Sequence, residues 1–399
     1  MRPYDDRRVL VVVAGSIAAY KSAYLVRRLA EAGAKVDVLL TRSAQRFIGK
    51  TTFEGLTGRP AHDDLWERPM LHLELGRRAE AAVVAPATAE LLSRLARGAA
   101  DELASATLLA AACPVLVCPA MNVRMWANPA TQHNVALLRQ FGHGVLGPVH
   151  GELAEGEIGL GRMVEPEEIL AAVGRLLEPV GLLRGRKVVV TAGPTRAAVD
   201  PIRYLGNRSS GRMGFALADS AWRRGAEVTV IAGPGSAPAP YGPRVRRVES
   251  SEEMLGALRE ELEGAAVLLM AAAVGDYVPE KVEEEKIKKE RAESLVLALR
   301  QGPDLLRETL DLRRRSGILT LAFALETEDA LENGRRKLES KGVDFLAVNE
   351  ARPPESGFET ATNRVTLLDR WGAVEELPLL SKAEVADRLL DRLEEHLAE

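Results

Sequence analysis

VLVVVAGSIAAYKSAYLVRRLAEAGAKVDVLLT, residues 9–41, opens with five apolar residues, turns at Gly15, continues as an amphipathic helix to an Ala-Gly stop, and closes on a second apolar run. A continuous β-branched run suits a strand buried on both faces, and apolar residues at helical spacing suit a helix laid across it. The stretch therefore predicts a βαβ unit with parallel strands. The pattern returns at KVVVTAGPT, 187–195, and GFALADSAWRRGAEVTVIAG, 214–233. Two such openings predict an α/β chain of two doubly wound, Rossmann-like parallel-sheet domains, over 1–180 and 181–399, meeting near 179–186.

Further strands are expected at 81–85, leading into the turn Pro86-Ala87-Thr88, and at 115–118, leading into the loop 119–122. In the second half they are expected at 265–273, 319–324 and 345–349. Residues 280–291, EKVEEEKIKKER, read as a solvated helix or loop, and 382–399 as a closing surface helix. The chain has 399 residues, 46% of them hydrophobic, which rules out wholesale disorder. A net charge of −4 leaves no electrostatic footprint for nucleic acid. Cys113 and Cys118 are too few for a disulfide framework or a structural zinc site, so a cytoplasmic setting is expected. Pro114 breaks the one membrane-like stretch, 103–121, into a buried helix and a short strand, so no membrane span is expected.

Ligands of open α/β sheets collect at the carboxyl ends of the strands, and the candidate residues fall there. Gly15 and Ser16 place small residues and backbone N–H groups at a helix start, suited either to a phosphate or to an ordinary tight turn. Thr41, Ser43 and Thr88 add hydroxyls at the same edge. His72 reads either as a half-buried structural histidine or as a proton-handling group, and Asn122 as a turn former or a carboxylate-binding amide. Gly156, Gly159 and Gly161, ahead of Arg162, suggest a flexible lid over substrate. In the second half, Arg203, Arg208 and Arg212 flank Ser209-Ser210-Gly211 before a helix, an anion site or a plain serine cap. The stretch 286–289 could deliver a lysine to a triphosphate, as could Lys337 and Lys341 on one helix face. A Walker A sequence is absent.

Together, in order, these motifs resemble the bacterial bifunctional phosphopantothenoylcysteine decarboxylase/phosphopantothenate–cysteine ligases of coenzyme A biosynthesis. In the first half the resemblance lies in 15–21, the His72 segment, 85–89, 119–122 and 159–163. In the second it lies in 191–196, Asp200-Pro201, 207–215, 271–277 and 286–289. It implies a flavodoxin-like first domain with FMN held by Gly15, Ser16, Thr41, Ser43, Pro86 and Thr88. There His72 would assist oxidative decarboxylation of 4′-phosphopantothenoylcysteine through a thioaldehyde, Asn122 would hold the departing carboxylate, and Arg162 would contact substrate. Return of the electrons to the enethiol would give 4′-phosphopantetheine. For the second domain it implies CTP with Mg²⁺, an acyl-cytidylate of 4′-phosphopantothenate, and L-cysteine displacing CMP. Arg203, Asn207 and Ala273 match positions that hold the intermediate. Ala271, Ala272, Asp276, Lys286, Pro303, Asp304, Leu305, Leu306, Phe323, Lys337 and Lys341 match those that hold the nucleotide, with Lys286 stabilising the developing charge.

One departure matters. The family's clamp reads Leu-Ala-Cys-Gly, whereas this chain reads Leu153-Ala154-Glu155-Gly156. Glu155 with a raised pKa could donate a proton but cannot do redox chemistry, and Cys118 is a nearby thiol unless it is simply a buried strand cysteine. Two narrower readings follow from Glu155: a ligase whose FMN domain is a scaffold, or a flavoprotein that stops at oxidative decarboxylation. Ala100-Asp101-Glu102 and Asn349-Glu350 depart more mildly. The resemblance also implies a homo-oligomer of trimeric decarboxylase and dimeric ligase domains, as in a dodecamer.

Overall fold

The computed structural model describes residues 2–288, 294–326, 330–350 and 362–397. The chain forms two compact units, Met1–Glu178 and Pro179–Glu399. In the first, the strands are β1 (Arg8–Val13), β2 (Lys35–Leu40), β3 (Ala61–His62), β4 (Ala81–Ala87), β5 (Val115–Pro119), β6 (Gly144–Val145), β7 (Val149–Glu152) and β8 (Ile158–Arg162). A parallel sheet runs β3-β2-β1-β4-β5-β6. Strand order reverses beside β1, which opens a crevice at the carboxyl edge between β1 and β4.

The β1 run is apolar throughout because both of its faces are covered. Val9, Val11 and Val13 pack in one layer with Leu25 and Leu29 of the helix Ala19–Glu31. Leu10 and Val12 pack in the other with Leu71, Leu75 and Leu91. Each such side chain stabilises by ~1.5–3 kcal/mol on burial. The fourth strand is longer than expected. It continues through Pro86 to Ala87, with a register shift between Val84 and Ala87 where proline has no N–H to give the ladder. The segment expected to be a flexible lid or clamp is the antiparallel hairpin β7–β8. Two of its glycines serve close packing: a Cβ at Gly161 would sit 2.2 Å from the Met121 carbonyl, and one at Gly159 2.8 Å from Val123, whereas Gly156 at the turn has open space around it.

The second unit holds β9 (Lys187–Ala192), β10 (Arg196–Ala198), β11 (Tyr204–Gly206), β12 (Glu227–Ala232), β13 (Arg244–Arg247), β14 (Val267–Met270), β15 (Tyr277–Pro279) and β16 (Leu299–Gln301). It continues with β17 (Leu319–Glu326), β18 (Phe345–Glu350), β19 (Thr362–Asn363), β20 (Val365–Asp369), β21 (Val374–Glu376) and β22 (Leu380–Ser381). The main sheet runs β13-β12-β9-β14-β17-β18-β20-β21. Its first six strands are parallel, whereas β20 and β21 add an antiparallel edge that the sequence reading did not contain. The middle order β12-β9-β14 repeats β2-β1-β4, so the two openings build the same crevice twice.

The helix Arg212–Arg223 lies close on β9, where a Cβ at Gly214 would meet that of Ala192 at 2.6 Å. The helix Lys382–Glu395 was expected on the surface; in fact one face is core, with Val385, Ala386, Leu389, Leu390 and Leu393 fully buried. Its start is fixed by a capping box between Ser381 and Glu384. Residues 280–288 form no helix, and 289–291 of the charged stretch lie outside the described residues. No described helix is long and apolar enough to cross a membrane.

Candidate functional site

The carboxyl edge of the first sheet gathers the expected hydroxyls. A Cβ on Gly15 would stand 2.5 Å from Ser43 Oγ, so only glycine leaves room at this turn. Thr41 Oγ1 lies 3.1 Å from Ser43 Oγ and accepts the Ala44 N–H, while Ser16 Oγ accepts the Ala18 N–H at 3.3 Å. The helix Ala19–Glu31 has no side-chain cap at Ala18, and although the Ala19 and Lys21 N–H groups turn back to the Ser16 and Ala18 carbonyls, the positive end of its dipole lies at this edge. Thr88 caps the helix Ala89–Ala96 through the Leu91 N–H. This is a cradle for a small anion.

Opposite, Asn122 caps the helix Val123–Ala127 and spends its amide on two carboxylates. Its Nδ2 donates to Glu155 Oε1 at 2.5 Å and to Glu157 Oε2 at 2.9 Å. Asn122 and Glu155 are thus brought together, without the raised pKa that proton donation by Glu155 would require. Hydrogen bonding from Asn122 holds the Glu155 carboxyl below the usual glutamate range, which favours the ion over a proton donor. Cys118 offers no substitute: it is fully buried in β5, and burial drives its thiol far above the usual range. His72 sits half-buried in the first turn of the helix Leu71–Arg78, and among the described residues no hydrogen bond joins it to Asn122 or to the Gly15 turn. Arg162 and the buried Lys21 both reach Glu165 Oε1, at 2.6 and 2.9 Å, and Lys21 Nζ also donates to the Met163 carbonyl at 3.0 Å. Sequence reading missed Lys21 as the tie that seats the hairpin; its only signal is a lysine on an apolar helix face.

In the second unit two cavities adjoin at the carboxyl ends of β14 and β17. One, of about 580 Å³, is lined by Asn207, Ala271, Ala272, Ala273, Asp276, Phe323 and Lys337, among others. The other, of about 610 Å³, shares Ala272, Asp276 and Phe323 and adds Pro303, Asp304, Leu305, Leu306 and Lys341. The loop after β14 is held open by hydroxyls: Thr191 Oγ1 accepts the Ala272 N–H at 3.2 Å, and Thr195 Oγ1 the Gly275 N–H at 3.0 Å. Asn207 Nδ2 donates to the Val274 carbonyl at 2.9 Å. Asp304 caps the turn 305–308 and pairs with Lys341, which outweighs its burial and keeps its carboxyl below the usual range. The i,i+4 lysines, read as sharing one face, line one cavity each.

Arg203 and Lys286 stand apart from these cavities. Arg203 lines a third, of about 680 Å³, with Arg196 and Tyr204. Its Nη1 donates to Asp200 Oδ2 at 2.7 Å and to the Ile287 carbonyl at 3.2 Å, while Asp200 Oδ2 accepts the Ile287 N–H at 3.1 Å. Burial alone would raise the Asp200 carboxyl, but the Ile202, Arg203 and Ile287 N–H groups and the Arg203 charge bring it down to about 2. The pair therefore pins the loop next to exposed Lys286 rather than lining the cavities. Sequence reading also missed Arg313, buried at 3% exposure. Its guanidinium donates to Thr309, Thr320, and the carbonyls of Leu306, Lys341 and Gly342, so it fixes the backbone of two cavity residues. Among the described residues no cluster of three or more His, Cys, Asp or Glu is placed to hold a metal.

The family described as "Flavoprotein" matches residues 1–178, and that described as "DNA/pantothenate metabolism flavoprotein C-terminal domain" matches 183–397. The chain is 38% identical over 400 residues to the coenzyme A biosynthesis bifunctional protein CoaBC of Vibrio vulnificus (strain CMCP6), covering 99% of both chains. It is 42% identical over 407 residues to the protein of the same name from Mycobacterium bovis, covering 98% of this chain and 97% of that one. A crystal structure of the C-terminal domain of a CoaBC protein is 33% identical, covers 55% of this chain and 98% of its own, and has a TM-score of 0.47.

Proposed function

The chain belongs to the family of bifunctional coenzyme A biosynthesis proteins, and on that footing we propose that it makes 4′-phosphopantetheine from 4′-phosphopantothenate, L-cysteine and CTP. The observation that carries this reading is the convergence of Asn207, Ala273, Asp276, Phe323 and Lys337 on one cavity at the carboxyl edge of the second sheet. In the first reaction a carboxylate oxygen of phosphopantothenate attacks the α-phosphorus of CTP, and the bond to the β-phosphate breaks with release of pyrophosphate. The cysteine amine then attacks the acyl carbon and CMP leaves. Asn207, with its amide fixed by Val274, orients the acyl group. Lys337 and Lys341, which line the cavities, neutralise phosphate charge, with Mg²⁺ bound to the nucleotide's own phosphates.

The first unit fits FMN: the Cβ-free cradle at Gly15, the Ser16, Thr41, Ser43 and Thr88 hydroxyls and the uncapped helix start suit a phosphate monoester. Bound there, FMN supplies a two-electron store for oxidising the substrate's cysteine thiol to the thioaldehyde and reducing the enethiol after CO₂ departs. Asn122 is assigned the substrate carboxylate, which takes the place of Glu155 or Glu157 on its amide N–H groups when substrate binds. His72 is assigned the proton transfers on the substrate side. Mass spectrometry of the products tests both halves. FMN-loaded protein given all substrates and Mg²⁺ should yield 4′-phosphopantetheine, and nothing when CTP is left out. Arrest at phosphopantothenoylcysteine, or release of an enethiol, would refute the decarboxylase reading as stated and leave the ligase.

A further inference from the structure

Two walls of the 610 Å³ cavity come from separate elements, and one buried side chain ties them together. One wall is the turn 303–306, and the other is Lys341, the last residue of the helix Ala330–Lys341. Arg313 Nη2 donates to the Leu306 carbonyl at 2.8 Å and to the Lys341 carbonyl at 3.0 Å, and Nη1 to the Gly342 carbonyl at 2.8 Å. Nη1 also reaches Thr320 Oγ1 at 3.2 Å and Nε reaches Thr309 Oγ1 at 3.3 Å, which engages all five guanidinium N–H groups. The Lys341 carbonyl is one that a helix end leaves without an intrahelical partner, and Gly342 turns the chain away at a φ of +56°. Among the described residues no carboxylate pairs with Arg313. A buried guanidinium without an acid partner is costly, and an apolar side chain would hold a core at lower cost. The walls share a second link, from Lys341 Nζ to Asp304 Oδ2. A phosphate at Lys341 competes with Asp304 for that ammonium and weakens this link. The bonds of Arg313 run to backbone carbonyls and are untouched by the exchange.

We propose that Arg313 is a positioning residue of the ligase site: it sets the spacing between the 303–306 turn and Lys341, and keeps it when Lys341 leaves Asp304 for a phosphate of the nucleotide. Arg313 lines neither of the two adjoining cavities and acts through the backbone of Leu306 and Lys341. The task falls to arginine because a planar fork with five donors can bond both walls and two hydroxyls at once, whereas lysine brings the same charge on a single point. The inference rests on the ligase reading and deepens it by adding to nucleotide recognition a residue outside the cavity lining.

Steady-state kinetics of pyrophosphate release by the full chain test it, with CTP, 4′-phosphopantothenate and L-cysteine varied in turn, for wild type, Arg313→Ala and Arg313→Lys. Arg313→Ala should raise the KM for CTP about tenfold or more, at a kcat within about threefold, and leave the KM values of the other two substrates within about threefold. Arg313→Lys should stay impaired for CTP by about threefold or more, because the charge without the fork spans only part of the acceptor set. An unchanged KM for CTP, or an equal rise for all three substrates, overturns the positioning role. Full recovery with lysine overturns it too, since charge alone would then act on the nucleotide. Should Arg313→Ala fail to fold, Thr309→Val, which keeps the side-chain volume and removes the Nε acceptor, carries the same comparison with a CTP-specific rise of about threefold. Wild type that releases no pyrophosphate from CTP overturns the ligase reading itself, and the positioning role with it.

Discussion

Asn122 shows how much a single side chain can be asked to hold. Its Oδ1 caps a helix, and its Nδ2 spans Glu155 and Glu157 across the hairpin turn. Asn122→Ala removes the amide that orients the substrate carboxylate and leaves two carboxylates facing each other without it. The expected outcome is a loss of kcat/KM for decarboxylation of about tenfold or more, with CTP-dependent pyrophosphate release unchanged; steady-state assays of both half-reactions check it. The Asp200 carboxyl makes a second prediction at this scale. Its folded pKa of about 2 lies below the ordinary aspartate value of ~3.9. The stabilisation it gives the 283–287 loop is therefore complete above about pH 4 and is lost as pH falls through about 2. NMR titration of the Asp200 carboxyl and the Ile287 amide should show both moving together in that window; an Asp200 titrating near 4 would contradict the anchoring. Residues such as Asn122, Asn207 and Gly15 were legible in the sequence because each sits in a short motif at a strand end. Glu157 and Arg313 were not, because each owes its importance to partners brought near only by the fold.

Elements were legible where a period governs them. The Val9 and Lys187 openings announce βαβ units because both strand faces are covered and the intervening helix shows one apolar stripe. The antiparallel strands β20 and β21 were not, since five and three residues carry too little pattern to set a direction. The strands of hairpin β7–β8 were not legible because glycine marks close approach as readily as flexibility, and at Gly161 it lets the strand pass the Met121 carbonyl. The last helix was misread as surface because its charged residues were counted as solvated. Asp387 is in fact buried against the helix Arg212–Arg223, where it accepts from Ser220 at 2.5 Å and from Arg223 at 2.8 Å, with Arg223 only 5% exposed. Asp387→Ala takes one carboxylate from buried Arg223, whose Nε still donates to Asp219. Breaking a buried pair from one side costs about 3 kcal/mol, and urea unfolding should show a loss of that order; a change under ~0.5 kcal/mol would mean that the remaining partners of Arg223 suffice.

At the scale of the whole chain, the repeat of one architecture predicts two folding units rather than one. Layers drawn from residues 4–177 cover both faces of the first sheet, and layers drawn from 183–393 cover both faces of the second. Each unit has the length of an ordinary domain, enough to bury a core of its own. The segment after the boundary belongs with the second unit: Leu183 is fully buried in its core and its N–H donates to Glu394 at 3.0 Å. A cut between Glu178 and Pro179 therefore removes no core residue from either piece. Expressed separately, residues 1–178 and 179–399 should each unfold in one cooperative transition, the first taking up flavin and the second releasing pyrophosphate from CTP in the presence of 4′-phosphopantothenate. Calorimetry and the two assays decide it. A fragment that unfolds without a transition would show that its sheet needs the rest of the chain. Two folded fragments of which neither works would show that the sites at the sheet edges, unlike the cores, are completed from outside their own unit.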